Sequence, residues 1–275
     1  MLQNVISNVR EQLPLIHCIT NYVTVNDVAN VLLACGASPI MADDEQEAEE
    51  MTSICKGTVI NIGTLNARTI NSMILAGKKA NELGHIVVLD PVGAGATKLR
   101  TETTFRLLQE VKFTVIRGNI SEIKTVYQGS GTTKGVDADI SDTVTEQNID
   151  EVIAFAKKLS QKTGAVIAIT GAIDIVTDDK TAYIIRNGHT IMSKITGTGC
   201  MLTAMIAAYC AANTKNILQS TVAAICAMGY CGEVAFAKVQ KEISGTSSFR
   251  MHLINALSTL DDVALTGGSK FECRE

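Results

Sequence analysis

The chain has no tryptophan, and aromatic residues make up only 4% of its 275 residues. That scarcity argues against an aromatic cage and points to a pocket walled by aliphatic and thioether groups. Only three prolines are present, and no proline-, glycine- or serine-rich linker, repeat or low-complexity tract divides the chain. One domain over residues 1–275 is expected, because a chain of this length can bury one large core. Charge of one sign is also missing. The 24 basic and 28 acidic residues are spread along the length and leave a formal charge of −4. Without a positive stripe, neither nucleic acid nor a membrane surface is an expected partner.

Metal-binding spacings are absent too. None of the eight cysteines forms a C-x-x-C pair, and His17, His85, His189 and His252 are far apart, so no transition metal is expected. The cysteines stand among apolar neighbours, as in Leu33-Ala34-Cys35 and Ala224-Ile225-Cys226, and are read as reduced thiols that pack as small hydrophobes. Met1 to Arg10 lacks the unbroken apolar core of a signal peptide, and the expected location is the cytoplasm. The apolar stretch Thr221 to Ala237 is short for a bilayer and is interrupted by Glu233. It is expected as a buried helix, partly in a subunit interface. Gly93 to Lys98 and Gly129 to Lys134 both miss the P-loop spacing, and no Gly-x-Gly-x-x-Gly follows the first strand. A P-loop kinase and a dinucleotide oxidoreductase are therefore disfavoured.

What is present is an alternation of short β-branched runs with longer segments of helical period, the pattern of a parallel sheet covered by helices. Strands are predicted at Leu15 to Ile19, Ser38 to Met41, Thr58 to Ile62, Ile86 to Asp90, Phe113 to Ile116, Ala165 to Thr170, Asp174 to Thr177 and Ala182 to Arg186. Helices are predicted at Thr24 to Cys35, Asn66 to Leu83, Ser121 to Tyr127 and Gln147 to Thr163, with Thr24 and Asn66 as N-caps and Gly36, Gly84 and Gly164 past the ends. From Gly199 onward strands are expected to stop, and three helices to close the fold: Gly199 to Asn213, Ile217 to Lys241 and Ser247 to Ser258. The polar segment Gly129 to Thr143 is expected as a loop or flap.

Three features could carry chemistry. Thr196-Gly197-Thr198-Gly199-Cys200 opens an apolar helix, where free N–H groups and the helix dipole suit an oxyanion. It equally suits a tight turn before a buried helix. Asp90-Pro91-Val92-Gly93-Ala94-Gly95 sits at the C-terminal end of a strand, the edge where open α/β sheets place ligands. Asn119-Ile120-Ser121-Glu122 could bring a second carboxylate to that edge, giving an oxygen-rich site suited to Mg²⁺. Bracing a turn at Pro91 and capping a helix are the plainer roles for these residues.

Together these pieces resemble the hydroxyethylthiazole kinase family of the ribokinase-like superfamily. The blocks that carry the resemblance run from end to end: His17 to Asn30, Gly36 to Met41, Asn61 to Leu65, Asp90 to Ala96, Arg117 to Asn119 with Glu122, Ile169 to Gly171, and Thr196 to Cys200. The resemblance implies a central, mostly parallel sheet flanked by helices, and transfer of a phosphoryl group from ATP to the hydroxyl of a small thiazole alcohol. It implies that Met41, Gly197 and Asn21 contact the thiazole alcohol, that Arg117, Thr170 and Asn119 serve ATP, and that Asp90 and Glu122 hold Mg²⁺ through water. It also implies a homotrimer with active sites between subunits, the N-terminal block facing Cys200 of a neighbour.

On this reading Gly197, Thr198, Gly199 and Cys200 form the catalytic cradle. Cys200 stands where related sugar and pyrimidine kinases carry an aspartate base, and a helix N-terminus is expected to lower its pKa and give some thiolate. The alternatives are a hydroxymethylpyrimidine kinase, an ATP-dependent nicotinamide nucleotide hydrate dehydratase, or a nucleotide sensor without catalysis. One departure stands at Gly245-Thr246-Ser247-Ser248-Phe249, where Gly-Pro-Gly-Ser-Phe is more usual, and the loop shape beside the nucleotide is expected to differ there.

Overall fold

The computed structural model describes residues 2–128 and 143–275, so the expected flap from Gly129 to Thr143 lies outside the described residues except at its last position. In chain order the elements begin α1 (Val5–Gln12), β1 (Leu15–Ile19), α2 (Val25–Cys35), β2 (Ser38–Ile40), α3 (Ala48–Ile54), β3 (Gly57–Asn61) and α4 (Ala67–Glu82). They continue with β4 (Ile86–Asp90), α5 (Lys98–Glu110), β5 (Val115–Gly118), α6 (Ile120–Gln128), α7 (Ile149–Thr163), β6 (Val166–Ile169), β7 (Asp174–Thr177) and β8 (Ala182–Ile185). A 3-10 turn at Thr190–Lys194 leads into α8 (Thr198–Ala212), α9 (Ile217–Glu242), α10 (Thr246–Thr259), α11 (Asp262–Gly268) and β9 (Phe271–Arg274).

One sheet runs in the order β2-β1-β3-β4-β5-β6-β7-β8-β9. The steps from β2 to β6 are parallel, and those from β6 to β9 are antiparallel. Both faces are covered, which is why the parallel strands read as near-continuous apolar runs. Val59, Val88, Val115 and Ala168 point into a core shared with α1, α2, α8, α9 and α10. Ile60, Leu89, Ile116 and Ile169 point into a second core under α4, α6 and α7. Because side chains alternate along a strand, the next residues, Asn61, Asp90, Arg117 and Thr170, all return to the α8 face at the strands' C-terminal ends. The fold thus gathers four polar residues beside the start of one apolar helix.

Local signals explain some of the element ends. Asn66 and Thr69 close a reciprocal capping box on α4, with the Asn66 side chain 3.1 Å from the Thr69 amide. Gly36 and Gly164 end α2 and α7 in the left-handed conformation, at φ 93° and 72°. Thr24 precedes α2 without capping it, since its hydroxyl donates instead to Asn21 Oδ1 at 3.0 Å.

Two expectations about the elements are corrected. The segment Lys98–Glu110 is helical although unforeseen, because only Thr103, Thr104 and Leu107 of its 13 residues are buried. Strands do not stop at Gly199: Phe271–Arg274 adds an antiparallel edge strand to β8, secured partly by Glu272 pairing at 3.5 Å with Arg186, the residue after β8. In this four-residue strand Phe271 and Cys273 alternate with two charges, a pattern too short to stand out in sequence, and the charges help keep such an edge from pairing further. The helix α9 is long and apolar enough to cross a membrane, yet 67% of its apolar window is buried inside the fold. Its Glu233 turns out to lock a loop, accepting from the Gly188 amide at 3.0 Å and pairing with Lys270 at 2.6 Å.

Candidate active site

The site is built where the parallel strands end against the first turn of α8. Asp90, the last residue of β4, is fully buried. Its Oδ2 accepts from Asn61 Nδ2 at 2.8 Å and from Thr203 Oγ1 at 2.8 Å, with Arg117 Nη1 at 3.5 Å. Its Oδ1 is buried with no partner. Burial raises the pKa of Asp90 against the opposing pull of Arg117, Thr203 and Asn61.

Glu122, in the first turn of α6, spreads its carboxylate over two backbone donors, Gly93 N–H at 2.8 Å and Asn119 N–H at 2.8 Å. Asn119 Oδ1 in return accepts from the Glu122 amide at 2.9 Å. Burial, and then the neighbouring Asp90 charge, push the Glu122 carboxyl up to about 7. Arg117 reaches from β5 and donates to Thr170 Oγ1 at 2.5 Å. It counters both carboxylates only in part.

Cradle glycines are required by what they touch. Gly197 adopts φ 88°, and a Cβ there would meet Thr24 Cγ2 at 2.7 Å. At Gly199 a Cβ would meet Arg117 Nη1 at 2.5 Å, so the helix start presses directly on the guanidinium. Thr198 is half-buried between them. Cys200 Sγ, also half-buried, lies 3.2 Å from Asn21 Nδ2 and 3.3 Å from Asn61 Nδ2. Asn21, Asn61, Asp90, Arg117, Thr170, Gly199 and Cys200 therefore form one connected cluster, and Glu122 acts on it only through its charge on Asp90.

The structure corrects two expectations here. Asn21 faces Cys200 of its own chain, so this residue of the N-terminal block reaches the thiol from within the subunit. The Cys200 thiol is also not acidified: burial first, and then the Asp90 charge, raise its pKa and outweigh Thr24, Arg117 and Asn21. It is a neutral thiol that accepts two amide donors.

Met41 stands apart from the cluster. It follows β2, which β1 separates from β3, and is half-buried against the core on the α8 side. His17 anchors this segment, its Nε2 2.7 Å from Ala42 O and its Nδ1 2.8 Å from Thr52 Oγ1. Because a carbonyl only accepts, Nε2 carries the proton and Thr52 donates to Nδ1. The unusual residues Thr246 and Ser247 begin α10 in regular helical form and line a cavity of about 370 Å³ together with Val23 and Thr196. A second cavity, of about 340 Å³, opens beside Val111 and Phe113 before β5, at the other end of the strands, and touches none of these residues.

Sequence reasoning missed Thr203 and Arg100 altogether. Arg100, on the unforeseen α5, donates to Val92 O at 2.5 Å and Gly63 O at 2.7 Å, clamping the loops after β4 and β3. No group of three or more His, Cys, Asp or Glu side chains is placed to hold a metal among the described residues. An oxygen-bound cation does fit, because the unpartnered Asp90 Oδ1 and the raised Glu122 both signal a site short of positive charge.

Comparison with known proteins agrees with this geometry. The model of the hydroxyethylthiazole kinase family matches residues 6–262. The hydroxyethylthiazole kinase of Clostridium acetobutylicum is 60% identical over 272 residues, covering 99% of each chain. The solved hydroxyethylthiazole kinase of Pyrococcus horikoshii OT3 superposes with a TM-score of 0.88 at 34% identity, covering 100% of this chain and 99% of that one. A ribokinase-like superfamily protein of Enterococcus faecalis V583, at TM-score 0.61 and 10% identity over 92% of this chain and 88% of its own, shares the fold.

Proposed function

The chain belongs to the hydroxyethylthiazole kinase family, and from that premise we propose that it transfers the γ-phosphoryl group of ATP to the primary hydroxyl of 4-methyl-5-(2-hydroxyethyl)thiazole, acting as one kinase domain. The observation that carries the reading is the joining of Asp90, Arg117, Thr170 and Cys200 by Gly199 and Asn61 at the start of α8.

The alcohol oxygen forms a bond to the γ-phosphorus in line with the breaking bond to the β-phosphate oxygen. Phosphoryl transfer has a loose transition state, so alignment and charge stabilisation supply most of the rate. Arg117, held by Thr170 and braced by Gly199, neutralises the phosphate oxygens. The N–H groups from Gly197 to Cys200 add further donors aimed at the transferring group. Asp90 Oδ1 and Glu122 would hold Mg²⁺, which when bound would offset the negative charge of the phosphates.

Cys200 as a neutral thiol is a poor base. The alcohol proton leaves late, to a phosphate oxygen, and the sulfur shapes the acceptor site while receiving the amides of Asn21 and Asn61. Gly197 bounds the thiazole and Asn119 contributes to the nucleotide side, while Met41, apart from this cluster within its own chain, reaches the thiazole across a subunit contact.

A homotrimer with active sites beside the subunit contacts is part of the proposal, supported by the exposed Tyr22 (78%) and Val23 (57%) next to Asn21. Sedimentation should give three times 29.3 kDa. The eight free cysteines suit the reducing cytoplasm. Mass spectrometry of the product should find one phosphate on the thiazole alcohol; an unmodified alcohol with ATP consumed would refute the reading.

A further inference from the structure

We infer that Asn61 and Thr203 are positioning residues that lock the Asp90 carboxylate so that only its Oδ1 faces the reaction space, Asn61 also tying that carboxylate to the acceptor site. The inference rests on the function proposed above and goes beyond it to two residues that act through Asp90 and, for Asn61, through Asn21 and Cys200.

The Asn61 amide has one possible orientation. Its Oδ1 lies 2.9 Å from the Gly63 backbone N–H and 3.0 Å from Asn21 Nδ2, both donors, so that end must be the oxygen. Its Nδ2 then donates to Asp90 Oδ2 at 2.8 Å and sits 3.3 Å from Cys200 Sγ. All of its polar capacity is committed, which makes it a rigid link between Asp90, Asn21 and the thiol.

Thr203 approaches the same carboxylate oxygen from α8. Its hydroxyl has one proton and two acceptors in reach, Asp90 Oδ2 at 2.8 Å and Gly199 O at 3.1 Å. The shorter, charge-assisted bond to Asp90 holds that proton. Asn61 and Thr203 together saturate Oδ2, and Oδ1 is left buried and unpartnered. Arg117, at 3.5 Å from Oδ2, is too distant to choose between the two oxygens by hydrogen bonding. Removing either donor frees the carboxylate to rotate and lets Oδ1 turn away from its task.

The test compares Asn61→Ala, Thr203→Val and Thr203→Ser with the wild type by calorimetry of ADP binding, with and without Mg²⁺, alongside kinetics. Partners that orient a ligating group typically contribute roughly 10- to 100-fold in metal affinity or activity. Asn61→Ala and Thr203→Val should each weaken Mg²⁺-dependent ADP binding within that range while leaving Mg²⁺-free ADP binding unchanged. Thr203→Ser, which keeps the hydroxyl, should restore it. Only Asn61→Ala should also raise KM for the alcohol.

Loss of thermal stability with intact Mg²⁺-dependent binding would overturn the inference, as would a serine that fails where valine fails. If Asn61→Ala does not fold, the valine and serine pair decides alone. A wild type that binds Mg²⁺ and ADP but leaves the thiazole untouched would refute the proposed substrate, and the same binding comparison would still judge the role of Asn61 and Thr203.

Discussion

Gly199→Ala separates folding from catalysis. Its Cβ would stand 2.5 Å from Arg117 Nη1, 2.8 Å from Nη2 and 3.0 Å from Cζ. Carbon and nitrogen atoms need about 3.5 Å, so the guanidinium must retreat by about 1 Å. Its bond to Thr170, now 2.5 Å, would stretch to the edge of hydrogen bonding. The clash falls on the tip of a flexible side chain, so the fold relieves it easily. Alanine in place of glycine near a helix start adds stability, by less than the ~1 kcal/mol of a helix interior. A misplacement of about 1 Å at a reacting centre costs on the order of 100-fold in rate. Thermal unfolding should therefore show an unchanged or slightly raised Tm, while steady-state kinetics with varied ATP show kcat/KM reduced by roughly that factor. Wild-type turnover in the variant would refute the contact between Gly199 and Arg117 as a determinant of activity. Gly197→Ala makes the contrast, since φ 88° and the contact with Thr24 lie in backbone and core. It should destabilise by about 1–3 kcal/mol.

Cys200→Ala should keep most turnover and raise KM for the alcohol. A thiol whose pKa is raised supplies no base, and loss of the roughly 10²- to 10⁴-fold typical of general-base catalysis would contradict that. Asp174, buried and bonded to the Gly171 amide at 2.9 Å, has its carboxyl pushed up to about 7 by burial. A raised carboxylate favours the native state below its unfolded pKa of 3.8, and that stability is lost as pH rises through about 7. Asp174→Asn should therefore gain on the wild type between those values, by at most ~1.4 kcal/mol per pH unit, in urea unfolding at a series of pH values; a pH-independent difference would contradict it. Asn66→Ala removes the α4 capping box and should lower stability by about 1 kcal/mol in the same assay, with kinetics unchanged; an altered kcat would show that α4 reaches the site.

How much of this was legible follows from what each residue does. The parallel strands were readable because burial on both faces makes them β-branched runs, and Gly36, Asn66 and Gly164 signalled helix ends by their own chemistry. The helix α5 and strand β9 were not, since one buries a single large apolar residue and the other is an edge of four residues. Asp90, Glu122 and Cys200 were legible as motif residues at strand and helix ends, and Arg117 only through the family resemblance. Thr203 looks like any small residue in an apolar helix, and only the crossing of α8 over β4 turns its hydroxyl onto Asp90. The acidity of Cys200 was misjudged because helix position shows in sequence, whereas burial and the Asp90 charge belong to the tertiary fold. The contact of Asn21 with Cys200 was hidden for the same reason: the meeting of the end of β1 with the start of α8 within one chain has no local signature.

The central claim is that this cluster moves a phosphoryl group onto a small thiazole alcohol. The direct measurement is Mg²⁺-dependent release of ADP from ATP by the purified protein with hydroxyethylthiazole, hydroxymethylpyrimidine or ribose as acceptor. The account predicts release with the thiazole and none with the other two. Silence with the thiazole and turnover with another alcohol would contradict it.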